Sequence, residues 1–296
     1  MLVSIVIRTL NEEKYLEELC SSIQNQKKED FEIETVIIDS GSTDRTLAIA
    51  KNYGARITHI SKSEFTFGRS LNLGTEFSNG DIIVYISGHC VPVNNNWLIN
   101  LIKPLTDNVV GYSYGGQSGR DTTKYSEYKI FEKYFPSKSK IPQVGFFCNN
   151  ANSALLRSVW QEYKFNEEIT GLEDMELAKR YCEEGGSVAY VSEASVFHIH
   201  NESWKQTKRR YERESLALQG IMPEVQISKY DLIRYISVSI ISDSWSAIKE
   251  GCFLKEIFGI VNFRLSQYIG TYNGNHQHRS ISNERKEKYF YPTSQD

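Results

Sequence analysis

The chemistry this chain can offer gathers at a few short stretches. Ile82-Ile83-Val84-Tyr85-Ile86 is a continuous apolar run that ends in Ser87-Gly88-His89, a hydroxyl and an imidazole two residues apart. Side chains alternate along a strand, so an extended conformation sends both to one side. His89 is then either a group that binds an ion or anion, or an ordinary hydrogen-bonded loop histidine; one histidine does not decide. Asp39 closes a second apolar run and opens Asp39-Ser40-Gly41-Ser42-Thr43-Asp44, a donor-rich turn between two carboxylates. Ser42 and Asp44 also suit the capping of a helix over residues 45–53. Asp39 is harder to explain that way, because a carboxylate is seldom buried without a partner.

Further along, Arg69 stands between Gly68 and Gly74 and suits a diphosphate. Asn149, Asn150 and Asn152 crowd a strand expected over 145–157, where amides that both donate and accept fit sugar hydroxyls. Glu173 and Asp174 fall in the first turn of a helix over 172–181, where acids favour the helix dipole and one can also act as a general base. His198 and His200, two apart, can share one side of an extended segment.

The elements that must position these groups follow from periodicity. Strands at 2–7, 34–38, 56–60 and 81–86 alternate with helices, which predicts a mainly parallel sheet with right-handed crossovers. Ligands in such sheets bind beyond the carboxyl ends of the strands. No glycine precedes Gly41, so the dinucleotide fingerprint is missing from the first loop. Later strands are expected at 109–116 and 187–191, the latter followed by 194–200. A helix is expected over 120–142, marked by Tyr125, Tyr128, Phe131, Tyr134 and Phe135.

With 296 residues, the chain has room for one large α/β domain and an accessory region. A net charge of −3 argues against nucleic acid as the partner. Five scattered cysteines with no C-x-x-C, and no leader-like segment, point to a reducing cytoplasm. The stretch 235–242 is far short of the ~20 apolar residues that cross a bilayer. The division expected is a catalytic domain over 1–204 and a C-terminal helical region with a polar tail over 205–296. In that region Lys205, Lys208, Arg209, Arg210 and Arg213 precede an amphipathic helix marked by Leu254, Ile257, Val261, Leu265 and Tyr268. Its expected role is to pack on the sheet domain; the alternative is peripheral contact with an anionic membrane.

Together these groups suit a nucleotide-diphosphate sugar. The base and ribose would rest on loops 9–12 and 39–44, Arg69 and a divalent cation would neutralise the diphosphate, and a carboxylate would deprotonate the incoming hydroxyl.

The segments SIVIRTLNEE, VIIDSGSTDRT, FGRSLNLG, SGHCVP, NNANSALLRSVW, GLEDMELAKR and VFHIH, in that order, resemble a family 2 glycosyltransferase of the GT-A fold, in its bacterial rhamnosyltransferase-like branch. The resemblance covers about residues 2–210. It implies a Rossmann-like, mostly parallel sheet flanked by helices and an inverting transfer from a dTDP- or UDP-linked sugar to a glycan or lipid-linked acceptor of a surface polysaccharide. It implies Asp174 as catalytic base with Glu173 supporting the acceptor, and Asn150 and Asn152 facing the acceptor. The donor would lie on Thr9, Asn11, Glu12, Asp39, Ser42, Asp44, Arg69, Asn72, Ser87, Gly88 and His89. His89, His198 and His200 would be the candidate ligands of Mn2+ or Mg2+. The family's Asp-x-Asp is replaced here by Ser87-Gly88-His89, which weakens a site for hard cations. A catalytically inactive nucleotide-sugar or glycan-binding module is the alternative, opposed by the intact acidic pair. A glycoside hydrolase, which needs carboxylates on both sides of the sugar, ranks last.

Overall fold

The computed structural model describes residues 1–120, 122–277 and 289–290. Its sheet is built around β1 (Leu2–Thr9), in which Val3, Ile5, Val6 and Ile7 are all fully buried. A strand apolar on both faces needs cover on both. β1 lies parallel between β2 (Glu32–Asp39) and β4 (Ile82–Ser87), and β2 pairs in parallel with β3 (Arg56–His59). The crossovers are α1 (Glu13–Gln24), α2 (Thr46–Asn52) and α3 (Phe67–Phe77). Leu16, Leu19, Cys20 and Ile23 recur at helical spacing on α1 and close the core over β1.

The second half of the sheet is mixed. β5 (Cys90–Pro92), α4 (Trp97–Thr106), β6 (Tyr112–Ser118), α5 (Tyr125–Tyr134), β7 (Asn152–Leu156), α6 (Arg157–Tyr163), α7 (Glu173–Glu183) and β8 (Val188–His198) follow. The strand order is β3-β2-β1-β4-β7-β6-β8-β5. β7 runs antiparallel to β4 and β6, β5 antiparallel to β8, and β6 parallel to β8. The two short pieces expected at 187–200 are one strand, with an irregularity in its pairing between Gly115 and Gln117 of β6.

The strand expected over 145–157 begins only at Asn152. Asn149 and Asn150 lie in the turn before it, where the Asn149 Oδ1 accepts from Ala151 N at 3.0 Å. Asparagine competes for nearby backbone groups in this way, so an amide-rich window makes a turn sooner than a strand.

The chain folds as two compact units: 1–120, 135–168 and 173–199 form the first, and 121–134, 169–172 and 200–296 the second. The second unit holds α5 with α8 (Trp204–Ile221), α9 (Lys229–Lys249) and α10 (Phe253–Asn275). Ser203 and Ser228 start α8 and α9 with capping boxes, each matched three residues on by Gln206 or Asp231. α10 crosses α8 so closely that a Cβ on Gly270 or Gly274 would strike the carbonyl oxygens of Lys208 and Glu212. The basic cluster lies on α8 and is not an open patch: Arg209 is buried, and Arg210 is bound to Glu127 at 2.7 Å and to Glu202. Most of the polar tail lies outside the described residues.

The core of the second unit holds a buried ion pair between α9 and α10. Arg264 Nε and Nη2 donate to Asp243 Oδ2 and Oδ1 at 2.7 and 2.9 Å, and Ser126 Oγ donates to Oδ2 at 2.6 Å. Asp243→Ala leaves a buried guanidinium unpaired and is expected to cost about 3–5 kcal/mol in denaturant unfolding, with much of it recovered in Asp243→Ala/Arg264→Met. A loss under about 1 kcal/mol for the single variant would show that the pair is not buried in solution.

Candidate active site

Parallel register brings the carboxyl ends of β1, β2 and β4 side by side: Thr9 is opposite Asp39, and Arg8 is opposite Ser87. The two loops that follow β1 and β2 are stitched into one platform. Asp39 accepts from Thr9 Oγ1 (2.9 Å), Gly41 N (2.9 Å), Ser42 N (2.9 Å) and Ser42 Oγ (2.5 Å). These bonds satisfy a carboxylate's full acceptor capacity, which answers the cost of burying it. Asn11, at φ 56°, accepts from Thr43 N (2.8 Å) and donates its own N–H to Ser42 Oγ (2.9 Å). Glu13 N donates to Asp44 Oδ2 at 3.2 Å. Ser42 and Asp44 therefore tie one loop to the other, and Asp44 Oδ1 also accepts from Thr46 N at 2.9 Å where α2 begins.

β4 ends at Ser87, and Gly88 turns the chain so that His89 meets Glu12. A Cβ on Gly88 would sit 2.8 Å from Glu12 Cγ, so only glycine lets that side chain pass. His89 Nδ1 is 2.9 Å from Glu12 Oε1, and His198 Nδ1 is 2.7 Å from Gln117 Oε1. The Gln117 amide is oriented by its Nε2, which donates to Asn149 Oδ1 at 2.9 Å. Both partners of the histidines are acceptors, so each ring's Nδ1 carries a proton and its Nε2 is the atom turned toward the other ring. The pairing of Cys90 with His198 across β5 and β8 brings those two Nε2 atoms to 3.3 Å.

Two lone pairs facing at that distance repel unless a proton on one ring or a shared cation lies between them. Two nitrogens bound to one cation at about 2.1 Å stand roughly 3.0–3.4 Å apart, so the pair fits neighbouring positions on a metal. Acceptors behind the ligating rings, here Glu12 and Gln117, are the usual supports of such a site. His200 belongs to the second unit, where its Nδ1 is 2.8 Å from Glu127 Oε1, so it is held in the same tautomer.

Asp174 opens α7 and is 7% exposed. Oδ2 accepts from Asn150 N at 2.7 Å and Oδ1 from Met175 N at 2.8 Å, using free N–H groups of a turn and of a helix start. Burial, and after it the like charge of Glu173, pushes its pKa up to about 7 against those bonds and Arg8. Glu173 is buried beside it and receives Arg8 Nη1 at 3.3 Å, while the guanidinium lies 4.8 Å above the Phe67 ring. The residue before this pair, Leu172, holds φ 58°, a left-handed conformation that costs a bulky side chain strain and is found preferentially at functional sites.

The remaining expected residues divide. Asn150 Oδ1 accepts from Tyr112 Oη (2.6 Å) and Ser153 Oγ (2.7 Å), while its buried Nδ2 finds no partner among the described residues. Asn152 is spent inside the sheet, donating to Gly116 and Ala194 carbonyls and accepting from Trp97 Nε1 at 2.8 Å. Asn72 is likewise used up by Phe165, Glu167 and Trp160. Buried amides with every site filled hold the fold together rather than bind a ligand. Arg69 is on the surface, 3.1 Å from Glu64. Arg8 and Gln117 were not singled out from sequence. A charged residue inside the apolar run of β1 was the available signal for Arg8; Gln117 gave none.

A model described as "Glycosyl transferase family 2" matches residues 4–164. Over 197 residues the chain is 32% identical to the O-antigen chain rhamnosyltransferase WbaN of Salmonella anatum, covering 63% of this chain and 62% of that relative. The matched region thus spans less than two thirds of WbaN. Among solved structures, the mannosyltransferase PcManGT of Pyrobaculum calidifontis, in complex with GDP-Man and Mn2+, superimposes with TM-score 0.62 at 15% identity, covering 90% of this chain and 85% of that one. Residues 1–349 of S. aureus TarS, in complex with UDP, give TM-score 0.56 at 14% identity over 95% and 94%. These likenesses show the fold, a GT-A type α/β architecture.

The side-chain carboxyl 13C resonance of Asp174 is expected to titrate near pH 7, and nearer the ordinary range of about 4 in Glu173→Gln, which removes the like charge. A wild-type midpoint below about 5 would show that the carboxyl is solvated and not the buried group described.

Proposed function

The chain belongs to glycosyl transferase family 2, and from that premise we propose that it is an inverting glycosyltransferase. It moves a sugar from a nucleoside diphosphate to a glycan or lipid-linked acceptor in bacterial surface polysaccharide synthesis. The observation that carries this reading is the Asp174 carboxylate, buried, fixed by two N–H groups and poised near neutrality. A general base works best with a pKa near the operating pH. Asp174 takes the proton of the acceptor hydroxyl as that oxygen attacks the anomeric carbon. The bond to the diphosphate breaks with its electron pair leaving on the nucleoside diphosphate, and attack from the opposite face inverts the configuration. Arg8 holds Glu173, which supports the acceptor, and the buried Asn150 Nδ2 supplies one further donor.

The platform of Thr9, Asn11, Asp39, Ser42 and Asp44 receives the base and ribose. Its side chains are engaged with one another, so backbone groups and loop shape do much of the recognition. His89 and His198 would hold a divalent cation, and that cation would neutralise charge on the diphosphate. Nitrogen donors favour Mn2+ or a later first-row ion over Mg2+; Mn2+ accompanies GDP-Man in PcManGT. The rhamnosyl transfer in WbaN's name supports a deoxyhexose, with dTDP the nucleotide we propose for it, and UDP in TarS supports a UDP-linked sugar. Five free cysteines suit the reducing cytoplasm.

Asp174→Asn should lower kcat by about 10²-fold or more while donor affinity stays within a few-fold, and the wild-type rate should rise with pH to a plateau above about 7, where the base is ionised. Full activity in the variant would end the base assignment. Glu12→Ala should weaken Mn2+ binding, measured by calorimetry without any sugar acceptor, by about 10–100-fold through loss of the His89 support. Mn2+ affinity unchanged in Glu12→Ala and in His198→Ala would remove the metal from this reading.

A further inference from the structure

A helix on the outside of a water-soluble unit ordinarily turns charged and polar residues outward. α9 departs from this. Between Arg234 and Lys249 its only charged residue is Asp243, which is buried against Arg264. Outward instead stand Ile233, Val238, Ile241, Trp245 and Ile248, each 51–67% exposed. At about 100° per residue they fall in a stripe roughly 140° wide. The apolar surface continues at the start of α10, where Leu254 and Phe258 are exposed. A contiguous patch of this kind marks an interaction surface.

The charges at its ends say what covers it. Lys229 and Arg234 border one end and Lys249 the other. The acids nearby are engaged: Asp231 in the Ser228 cap, Glu250 by Lys129 (2.8 Å) and Tyr125 (3.0 Å), and Glu256 with Lys255 (3.5 Å). Two copies pairing through this stripe would set basic ends against basic ends in either orientation. A surface that is negative throughout meets both. Arg234 also lies over Tyr235 and Lys249 over Trp245, an arrangement in which a cation stays in water above an aromatic ring at an apolar boundary.

We propose that the outer face of α9 docks on an anionic lipid surface, with its axis in the plane of the interface. Among the described residues no helix is long and apolar enough to cross a membrane, so the contact is peripheral. The proposal does not depend on the sugar-transfer reading, and it moves the lipid contact from the basic segment of α8, where Arg209 is buried and Arg210 is engaged by Glu127 and Glu202, to α9.

The test is co-sedimentation of the full chain with phosphatidylcholine vesicles, with and without phosphatidylglycerol, at low and high salt. Ile241→Asp/Trp245→Asp and Arg234→Glu/Lys249→Glu are compared with wild type, and sedimentation velocity reports the oligomeric state of each. Wild type is expected to bind the anionic vesicles on the order of tenfold to a hundredfold better than neutral ones, less so in high salt. The apolar variant should lose binding at an unchanged melting temperature, and the charge variant should lose the preference for anionic lipid. Wild type left in the supernatant at low salt, or an apolar variant that binds as well, would overturn the proposal. A wild-type dimer that the apolar variant dissolves would assign the stripe to a second copy instead.

Discussion

Covering both faces of the sheet's centre leaves its strand ends as the place where polar groups can be both ordered and reached. β1 and β4 are buried along almost their whole length, so a charge within them must be paired internally. Arg8 marks that limit: it is the point at which β1 first carries a charge, and the charge is answered by Glu173. From there outward come Thr9, Asp39 and Ser87, set side by side by parallel register, with His89 two residues past the end of β4. Removing the burial would remove the reason for these groups to gather.

Three buried aspartates show how partners decide what a carboxylate does. Asp243 faces a guanidinium, and its role is to hold helices together. Asp39 receives four hydrogen bonds from its own loops and serves as the knot of the platform. Asp174 receives two N–H groups and lies beside another acid, which keeps its proton exchangeable near neutrality. Only the third environment leaves a carboxylate poised to move a proton. The same logic separates the asparagines: Asn72 and Asn152 have both amide N–H donors spent on the fold, whereas Asn150 keeps a buried donor in reserve.

In the proposed site, histidine nitrogens would take the place of the acid that Ser87 lacks. Glu12 and Gln117 set both histidine tautomers, and strand pairing sets the 3.3 Å between His89 and His198. In the reading proposed above, such a site would favour Mn2+ or a later first-row ion over Mg2+. Glycine at 88 is part of that arrangement, since a side chain there would displace Glu12.

Local pattern was enough for the repeating strand–helix order and for a helix that starts at the acidic pair. Each depends on neighbours within about a dozen residues, and periodicity and capping are local physics. Long-range pairing lay beyond that reach. Whether β7 runs antiparallel, whether 188–198 is one strand, and whether His89 meets His198 depend on contacts between residues far apart in the chain. Saturation is equally invisible from sequence: nothing in the letters separates Asn150 from Asn152, because a side chain's role depends on which of its hydrogen-bonding sites the folded neighbours leave open. The residue types of the site were therefore determined by sequence alone. Their tautomers, their charge states and their distances were decided by tertiary packing, because those follow from who sits opposite whom once water has been excluded.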